Sequence, residues 1–93
     1  MAGDIKKMVT SFQQQKPKLS VLMVNLLAGH ANGKQIKEMA KDRYVSYSSA
    51  TQTVAEAKKR LNARSLAHAV VRAQGLGFLS FPTGSDLYVY PLN

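Results

Sequence analysis

Few residues in this chain could perform acid–base or nucleophilic chemistry. Among its 93 residues there are two histidines, His30 and His68, and no cysteine. Nucleophilic catalysis needs a base within reach of the nucleophile, and a metal site needs several ligands at regular spacing. Neither histidine shares a predicted helix face with a carboxylate at such a spacing. We therefore interpret both as ordinary surface residues and expect no enzyme activity, no metal and no cofactor.

A second candidate is the segment 29–35, which reads Gly-His-Ala-Asn-Gly-Lys-Gln and resembles a phosphate-binding loop in composition. Such a loop has four residues between its glycines and a Ser or Thr after its lysine. Here three residues separate the glycines, and Gln35 follows the lysine. The segment also follows a predicted helix instead of a strand. We predict a turn over residues 29–33, because glycine and asparagine readily adopt positive φ, and no small-molecule ligand is evident.

The charge of the chain points to its partner. Thirteen Lys and Arg against five Asp and Glu give a formal net charge of +8. This excess favours a polyanion, and nucleic acid before a membrane surface. A hydrophobic fraction of 45% is ordinary for a folded domain, and no apolar run approaches the roughly 18 residues of a membrane span. We expect a cytoplasmic, nucleoid-associated protein, since the lack of cysteine suits a reducing compartment.

Hydrophobic periodicity predicts a mainly α fold, a helix-turn-helix bundle of four to five helices with a C-terminal β-hairpin. Ser46 or Ser48 is expected to cap the fourth helix, and Gly75 to end the fifth. We expect one domain, made of a helical extension (1–17), a helix-turn-helix core (19–75) and a hairpin tail (76–93). The predicted helices cover residues 4–15, 20–28, 34–42, 48–61 and 65–74, and the predicted strands cover 78–81 and 87–90.

The helices 34–42 and 48–61 form the strongest functional signal. A short helix, a tight connection and a longer helix with small polar residues on its first turns are typical of a DNA-binding helix pair. Short side chains let the second helix approach base edges in the major groove, and later cations reach phosphates. The candidate base-facing residues are Tyr47, Ser48, Ser49, Thr51 and Gln52, and the candidate phosphate contacts are Lys34, Lys58, Lys59 and Arg64.

The stretch from Leu26 to Val70 resembles the DNA-binding domain of LuxR/GerE-type response regulators. In outline, that family reads Leu-Leu-Ala, Ile-Ala on the first motif helix, Ile-Ser in the turn, Thr-Val on the recognition helix, Lys-Leu at its end and Ala-Val in the last helix. From Met39 onward the spacing matches without a gap, and the preceding turn is about three residues longer than in the family. The corresponding pairs and triplet are Leu26-Leu27-Ala28, Met39-Ala40, Val45-Ser46, Ser49-Ala50, Arg60-Leu61 and Ala69-Val70.

The resemblance implies roles for particular residues. Ser49 matches a phosphate-contacting threonine, Ala50 an apolar residue that faces thymine methyl groups, and Thr51 a base-facing position. It also implies a homodimer formed through the last helix, which we assign to Leu66, Val70 and Ala73. The expected function is that of a stand-alone transcriptional regulator that binds double-stranded DNA sequence-specifically, without a sensor domain.

The two ends of the chain leave an alternative open. Between Gly75 and Asn93 there is no Lys or Arg, so we expect the hairpin to serve packing or oligomerisation instead of touching DNA. Its hydrophobic content is assigned to Phe78, Phe81, Tyr88 and Tyr90. The helix 4–15 could cover the bundle or form a second dimer contact. The alternative function is a small protein-binding adaptor or inhibitor that docks on an acidic protein partner.

Overall fold

The computed structural model describes residues 16–81 and 88–92. This part contains four α-helices and two short strands, which confirms the predicted mainly α bundle with a C-terminal hairpin. The predicted helix 4–15 and the hairpin loop 82–87 lie outside the described residues. The elements are α1 (Val21–Ala31), α2 (Ile36–Asp42), α3 (Tyr47–Arg60), α4 (Leu66–Gly75), β1 (Leu79–Ser80) and β2 (Tyr90–Pro91).

Helix α1 lies at the centre of the bundle and contacts the three other helices and β2. Its sequence, Val-Leu-Met-Val-Asn-Leu-Leu-Ala-Gly-His-Ala, is apolar on most sides, as expected of a helix with neighbours all round. Two adjacent leucines are its most buried residues, with Leu26 at 1% and Leu27 at 0% exposure. They belong to two separate apolar clusters, so this one helix joins both halves of the core.

The larger cluster, around Leu27, joins α1 to α4 and to the hairpin. Three of its members are alanines, Ala28, Ala69 and Ala73, whose small side chains let α1 and α4 approach closely. The smaller cluster joins Leu26 of α1 to Met39 of α2 and Val54 of α3. The larger cluster consists of Val24, Leu27, Ala28, Leu61, Ala69, Val70, Ala73, Leu79 and Val89.

Serine side chains cap the N-termini of three of the helices. The hydroxyl oxygens of Ser20, Ser46 and Ser65 accept hydrogen bonds from the backbone N–H groups three residues later, at 3.1, 3.0 and 3.0 Å. Each bond satisfies an N–H group that has no partner within the helix. Ser46, and not Ser48, is therefore the cap of α3, which begins at Tyr47.

All four helices end in the same hydrogen-bond pattern. The N–H groups of Lys34, Val45, Ala63 and Phe78 each donate to the carbonyl oxygen five residues earlier, at 2.8–3.0 Å. This is the Schellman motif, which places the residue before the donor in the left-handed region. Those residues, with their φ angles, are Gly33 (87°), Tyr44 (57°), Asn62 (52°) and Gly77 (87°).

The helix ends correct two expectations. Residues 29–31, predicted as part of a turn, continue α1 through Ala31, and only Gly33 of the segment has a positive φ. Gly75, predicted as the C-terminal cap, is instead the last residue of α4, and Gly77 adopts the left-handed conformation. The motif forms where the chain must leave the packed helix, and the contacts of Leu76 and Phe78 with the larger cluster decide that point here.

The hairpin is attached to the helices by Asn32, the residue that follows α1. Its Nδ2 donates to the carbonyl oxygen of Val89 at 2.9 Å, and its Oδ1 accepts from the N–H of Val89 at 2.7 Å. The strands are antiparallel, with Leu79 opposite Pro91. A side-chain amide thus pairs with the backbone as a neighbouring strand would, and holds the chain just before β2 against the end of α1.

The hairpin's buried side chains differ from those expected. Leu79 and Val89 are buried in the larger cluster, whereas Phe81, Tyr88 and Tyr90 are each more than 40% exposed. Phe78 packs partly against the cluster. Side chains alternate between the two faces of a strand, and the register turns Leu79 and Val89 inward, which leaves the neighbouring aromatic residues outside. None of the helices within 16–81 and 88–92 is long and apolar enough to cross a membrane.

The Asn32–Val89 pair predicts a stability effect. Replacing Asn32 with Ala should lower the free energy of unfolding by about 1–3 kcal/mol, because two partly buried backbone groups lose their partner. Asn25→Ala is the control, since the amide of Asn25 only donates to Val21 within the same helix. Chemical denaturation measures both, and equal losses in the two variants would contradict a special role for Asn32.

Candidate nucleic-acid interface

The candidate site is built on the α2–α3 pair. The residues 43–46 connect the two helices, and Met39 of α2 packs with Val54 of α3 and Leu26 of α1. Ala40 of α2 and Ala50 of α3 are also buried. This apolar contact sets the position of α3 relative to the rest of the molecule, and it leaves the opposite side of α3 in solvent.

The solvent-facing side of α3 forms a continuous stripe, which we name the α3 stripe. Its members are spaced four, three and four residues apart, as one helical face requires, and all of them are exposed. The buried residues Ala50, Val54 and Ala57 lie on the other side of the helix. The α3 stripe consists of Ser48, Gln52, Ala55 and Lys59.

The predicted base-facing residues separate into three groups. Ser48 and Gln52 lie on the α3 stripe, while Tyr47 and Ser49 are exposed at its edges. Thr51 is half-buried, and its hydroxyl donates to the carbonyl oxygen of Ser48 at 2.8 Å. Its hydroxyl proton is therefore already engaged within the helix, which makes Gln52 the better-placed side chain for reading a base.

Ala50 does not belong to the site. Its exposure is 0%, and it lies on the inner side of α3. The expectation that it faces thymine methyl groups is wrong, because the same helical period that exposes Ser48 and Gln52 turns Ala50 into the core. Ala55 is the alanine that the α3 stripe exposes. It was not among the predicted site residues.

The residues assigned to dimerisation are also on an inner face. Val70 and Ala73 are buried against α1 within the protomer, so they are not available to a second copy. Leu66 is half-buried and packs against both clusters. The assignment is corrected because α4 must bury this face in its own bundle. The exposed face of α4 carries Ala67, Val71 and Gln74 instead.

Some of the cations near α3 form ion pairs within the protein, and others do not. Lys34 forms an ion pair with Asp42 at 3.2 Å, and Arg60 forms one with Glu56 at 3.2 Å. Arg60 also donates to the carbonyl oxygen of Lys18 at 2.8 Å. Because both ion pairs are about half exposed, each contributes little to stability. In the structure, Lys34 and Arg60 therefore each already have a carboxylate partner.

The remaining cations near α3 are better placed to meet a partner. Lys59 and Arg64 are exposed, and Lys58 is half-buried. On and beside α2, Lys37, Lys41 and Arg43 are exposed as well. Within residues 16–81 and 88–92, none of these six forms an ion pair. No sequence pattern separates Lys37 and Lys41 from Lys34, because ion pairing depends on side-chain geometry.

An open groove borders the N-terminal end of α3. Its volume is about 790 Å³. The apolar side chains of Ile36 and Leu66 line it together with Tyr47, and two lysines, Lys34 and Lys37, also contribute to its wall. In the described part of the chain, no group of three or more His, Asp and Glu side chains converges as metal ligands would. The groove is thus an apolar surface beside cations.

Comparison with known proteins adds no family to this description. No protein-family model matches the chain, and no curated protein matches it.

The cap of α3 gives a direct test of where this helix begins. Ser46→Ala should lower the free energy of unfolding by about 1 kcal/mol, because the N–H of Ser49 loses its acceptor. Ser48→Ala, at an exposed position that caps nothing, should change it by less than about 0.5 kcal/mol. Thermal or urea unfolding distinguishes the two. A larger loss for Ser48→Ala would show that α3 begins two residues later.

Proposed function

We propose that this protein is a transcriptional regulator that binds double-stranded DNA sequence-specifically, with α3 in the major groove. The observation that carries the proposal is the α3 stripe. It begins with the uncharged residues Ser48, Gln52 and Ala55 and ends with Lys59, and the opposite side of the helix is buried in the core through Val54 and Ala57. The resemblance of residues 26–70 to LuxR/GerE-type domains supports the same function.

The chemistry of the α3 stripe suits base edges. Ser48 and Ala55 are small enough to let the helix backbone come close to the groove floor. Gln52 carries an amide that can donate and accept together, which matches the N6 and N7 atoms of adenine. The methyl group of Ala55 suits the methyl group of thymine. These contacts discriminate between bases, whereas the lysine at the far end does not.

Charge would supply most of the affinity. Lys59 lies beyond the base-facing residues, and Lys37, Lys41 and Arg43 lie on or just after the neighbouring helix. Cations on both sides of a groove-bound helix can reach the two phosphate backbones that border the groove. The net charge of +8 also favours rapid encounter with DNA at low salt.

A pair of substitutions tests the two roles separately. Lys59→Ala should weaken binding to every duplex by a similar factor and reduce the slope of log affinity against log salt by about one, because one phosphate contact is lost. Gln52→Ala should change the preferred sequence at one position, with a cost of about 1–3 kcal/mol at that base pair. Fluorescence anisotropy at several salt concentrations, on duplexes selected from random DNA, measures both.

Lys16→Ala is the matched control for Lys59. The ammonium of Lys16 lies 4.5 Å from the ring centroid of Phe78, beside the hairpin and not on the α2–α3 pair. Its removal should leave the salt slope unchanged. If Lys59→Ala alters sequence preference while Gln52→Ala has no effect, then α3 does not lie in the groove as proposed.

We also propose that the protein binds as a homodimer through the exposed face of α4. Val71 is 62% exposed there, between Ala67 and Gln74. A closed two-fold dimer presents two α3 helices to DNA, and a roughly palindromic operator with half-sites about one helical turn apart would match them.

Val71→Asp should shift the protein from dimer to monomer, because it places a carboxylate at the centre of an apolar contact. Analytical ultracentrifugation over a range of concentrations measures the dissociation constant, and the melting temperature of a dilute sample shows whether the fold survives. Gln74→Ala, at the edge of the same face, should have a small effect. A wild-type protein that stays monomeric at high concentration would contradict the proposed dimer.

A second candidate function is docking on an acidic protein. The groove beside Tyr47 favours it, because Ile36 and Leu66 could accept apolar side chains while Lys37, which forms no ion pair in the described part of the chain, attracts carboxylates. Affinity capture from a lysate treated with nuclease separates the two functions. A partner held through DNA is lost with the nuclease, whereas a partner bound in the groove persists and is lost with Ile36→Glu.

A further inference from the structure

Tyr44 occupies an unusual position in the connection between α2 and α3. Its side chain is 97% exposed, the highest value among the exposed large hydrophobic residues of the described chain. Its backbone is in the left-handed region, with a φ of 57°. Exposure means that folding gains nothing from burying the ring, and the backbone conformation is one that a tyrosine rarely adopts.

Comparison with the other helix ends makes Tyr44 the exception. The same Schellman motif ends each of the four described helices, and its left-handed residue is Gly33, Asn62 or Gly77 at the other three. Glycine has no β-carbon to clash there, and asparagine tolerates the conformation better than other residues. The chain therefore uses the favourable residue types at three of these positions and a large aromatic residue at the fourth. Neither local conformation nor packing accounts for that choice.

The surroundings of Tyr44 indicate which kind of partner its exposed side chain would meet. It lies two residues before Ser46, the cap of α3, so it sits close to the end of α3 that would enter the groove. Two exposed cations, Lys41 and Arg43, are its near neighbours in the chain. A phenol group beside cations, next to the N-terminal end of a helix that enters the groove, lies where a phosphate backbone would pass.

We infer that Tyr44 is a DNA-backbone contact, whose hydroxyl donates a hydrogen bond to a phosphate at the edge of the groove that α3 enters. This inference rests on the proposed function and adds a residue to it. The ring packs on the adjacent sugar, and Arg43 supplies the charge. Because tyrosine is neutral, its contact displaces no counterion, and it differs in this respect from Lys59. The contact therefore adds affinity that is insensitive to base sequence and does not change the salt dependence.

Two variants of Tyr44 test the inference by anisotropy titrations on a selected duplex and on a duplex of random sequence, at several salt concentrations. Tyr44→Phe keeps the ring and removes the hydroxyl, and it should weaken binding to both duplexes by roughly three- to tenfold, with an unchanged salt slope. Tyr44→Gly should weaken binding at least as much. Its melting temperature should be equal to or higher than that of the wild type, because glycine relieves the backbone strain.

Asn62→Gly is the control for the backbone effect. It introduces glycine at the equivalent left-handed position at the end of α3. A change in melting temperature that both glycine variants share is therefore caused by the Schellman motif and not by the tyrosine side chain. A large fall in the melting temperature of Tyr44→Gly alone would show that the tyrosine has a structural role and would overturn the inference.

The binding results separate this inference from the proposed function. If the wild type binds duplex DNA and both Tyr44 variants bind equally well, the inference is wrong and the proposed function stands. If Tyr44→Phe changes sequence preference, the side chain reads a base and the backbone assignment is wrong. If the wild type binds no duplex at any salt concentration, the proposed function and this inference fall together.

Discussion

The structure depends on the burial of two adjacent leucines in α1. Successive residues of a helix point about 100° apart, so Leu26 and Leu27 enter different apolar clusters. Leu27 holds α4 and the hairpin, whereas Leu26 holds Met39 and Val54 and thus the α2–α3 pair. Helix α1 therefore connects the candidate interface to the C-terminal part of the chain, and Leu61, at the end of α3, adds a second connection through the larger cluster.

This arrangement explains why the candidate interface is polar. The apolar side of α3 is used in packing, through Ala50, Val54 and Ala57. The α3 stripe lies on the opposite side in solvent, and its small residues Ser48 and Ala55 permit a close approach to another macromolecule. Tyr44 differs from the packed residues of α3. Its left-handed backbone is unfavourable for a tyrosine, and its exposed ring contributes nothing to the core.

Much of the fold was predictable from periodicity alone. Ala50, Val54, Ala57 and Leu61 are spaced four, three and four residues apart, as one helical face requires, and all four are buried. Helix ends were less predictable, as Gly75 and Gly77 show, because several glycines and serines compete for each cap and the energies that separate them are small. In the candidate site, Ser48, Gln52 and Lys59 followed from the same period, whereas the roles assigned to Ala50, Val70 and Ala73 came from the family resemblance and placed core residues at a surface.

By itself the sequence determined the elements, their apolar sides and the net charge of +8, because propensity, hydrophobic period and ionisable groups are local properties. Only the tertiary structure decided which polar groups meet. Asn32 and Val89 are 57 residues apart, yet they share two hydrogen bonds. The pairing of Lys34 with Asp42 and the full exposure of Tyr44 likewise depend on where packed helices direct their ends. Such contacts arise from the geometry of the whole bundle, and no local pattern encodes them.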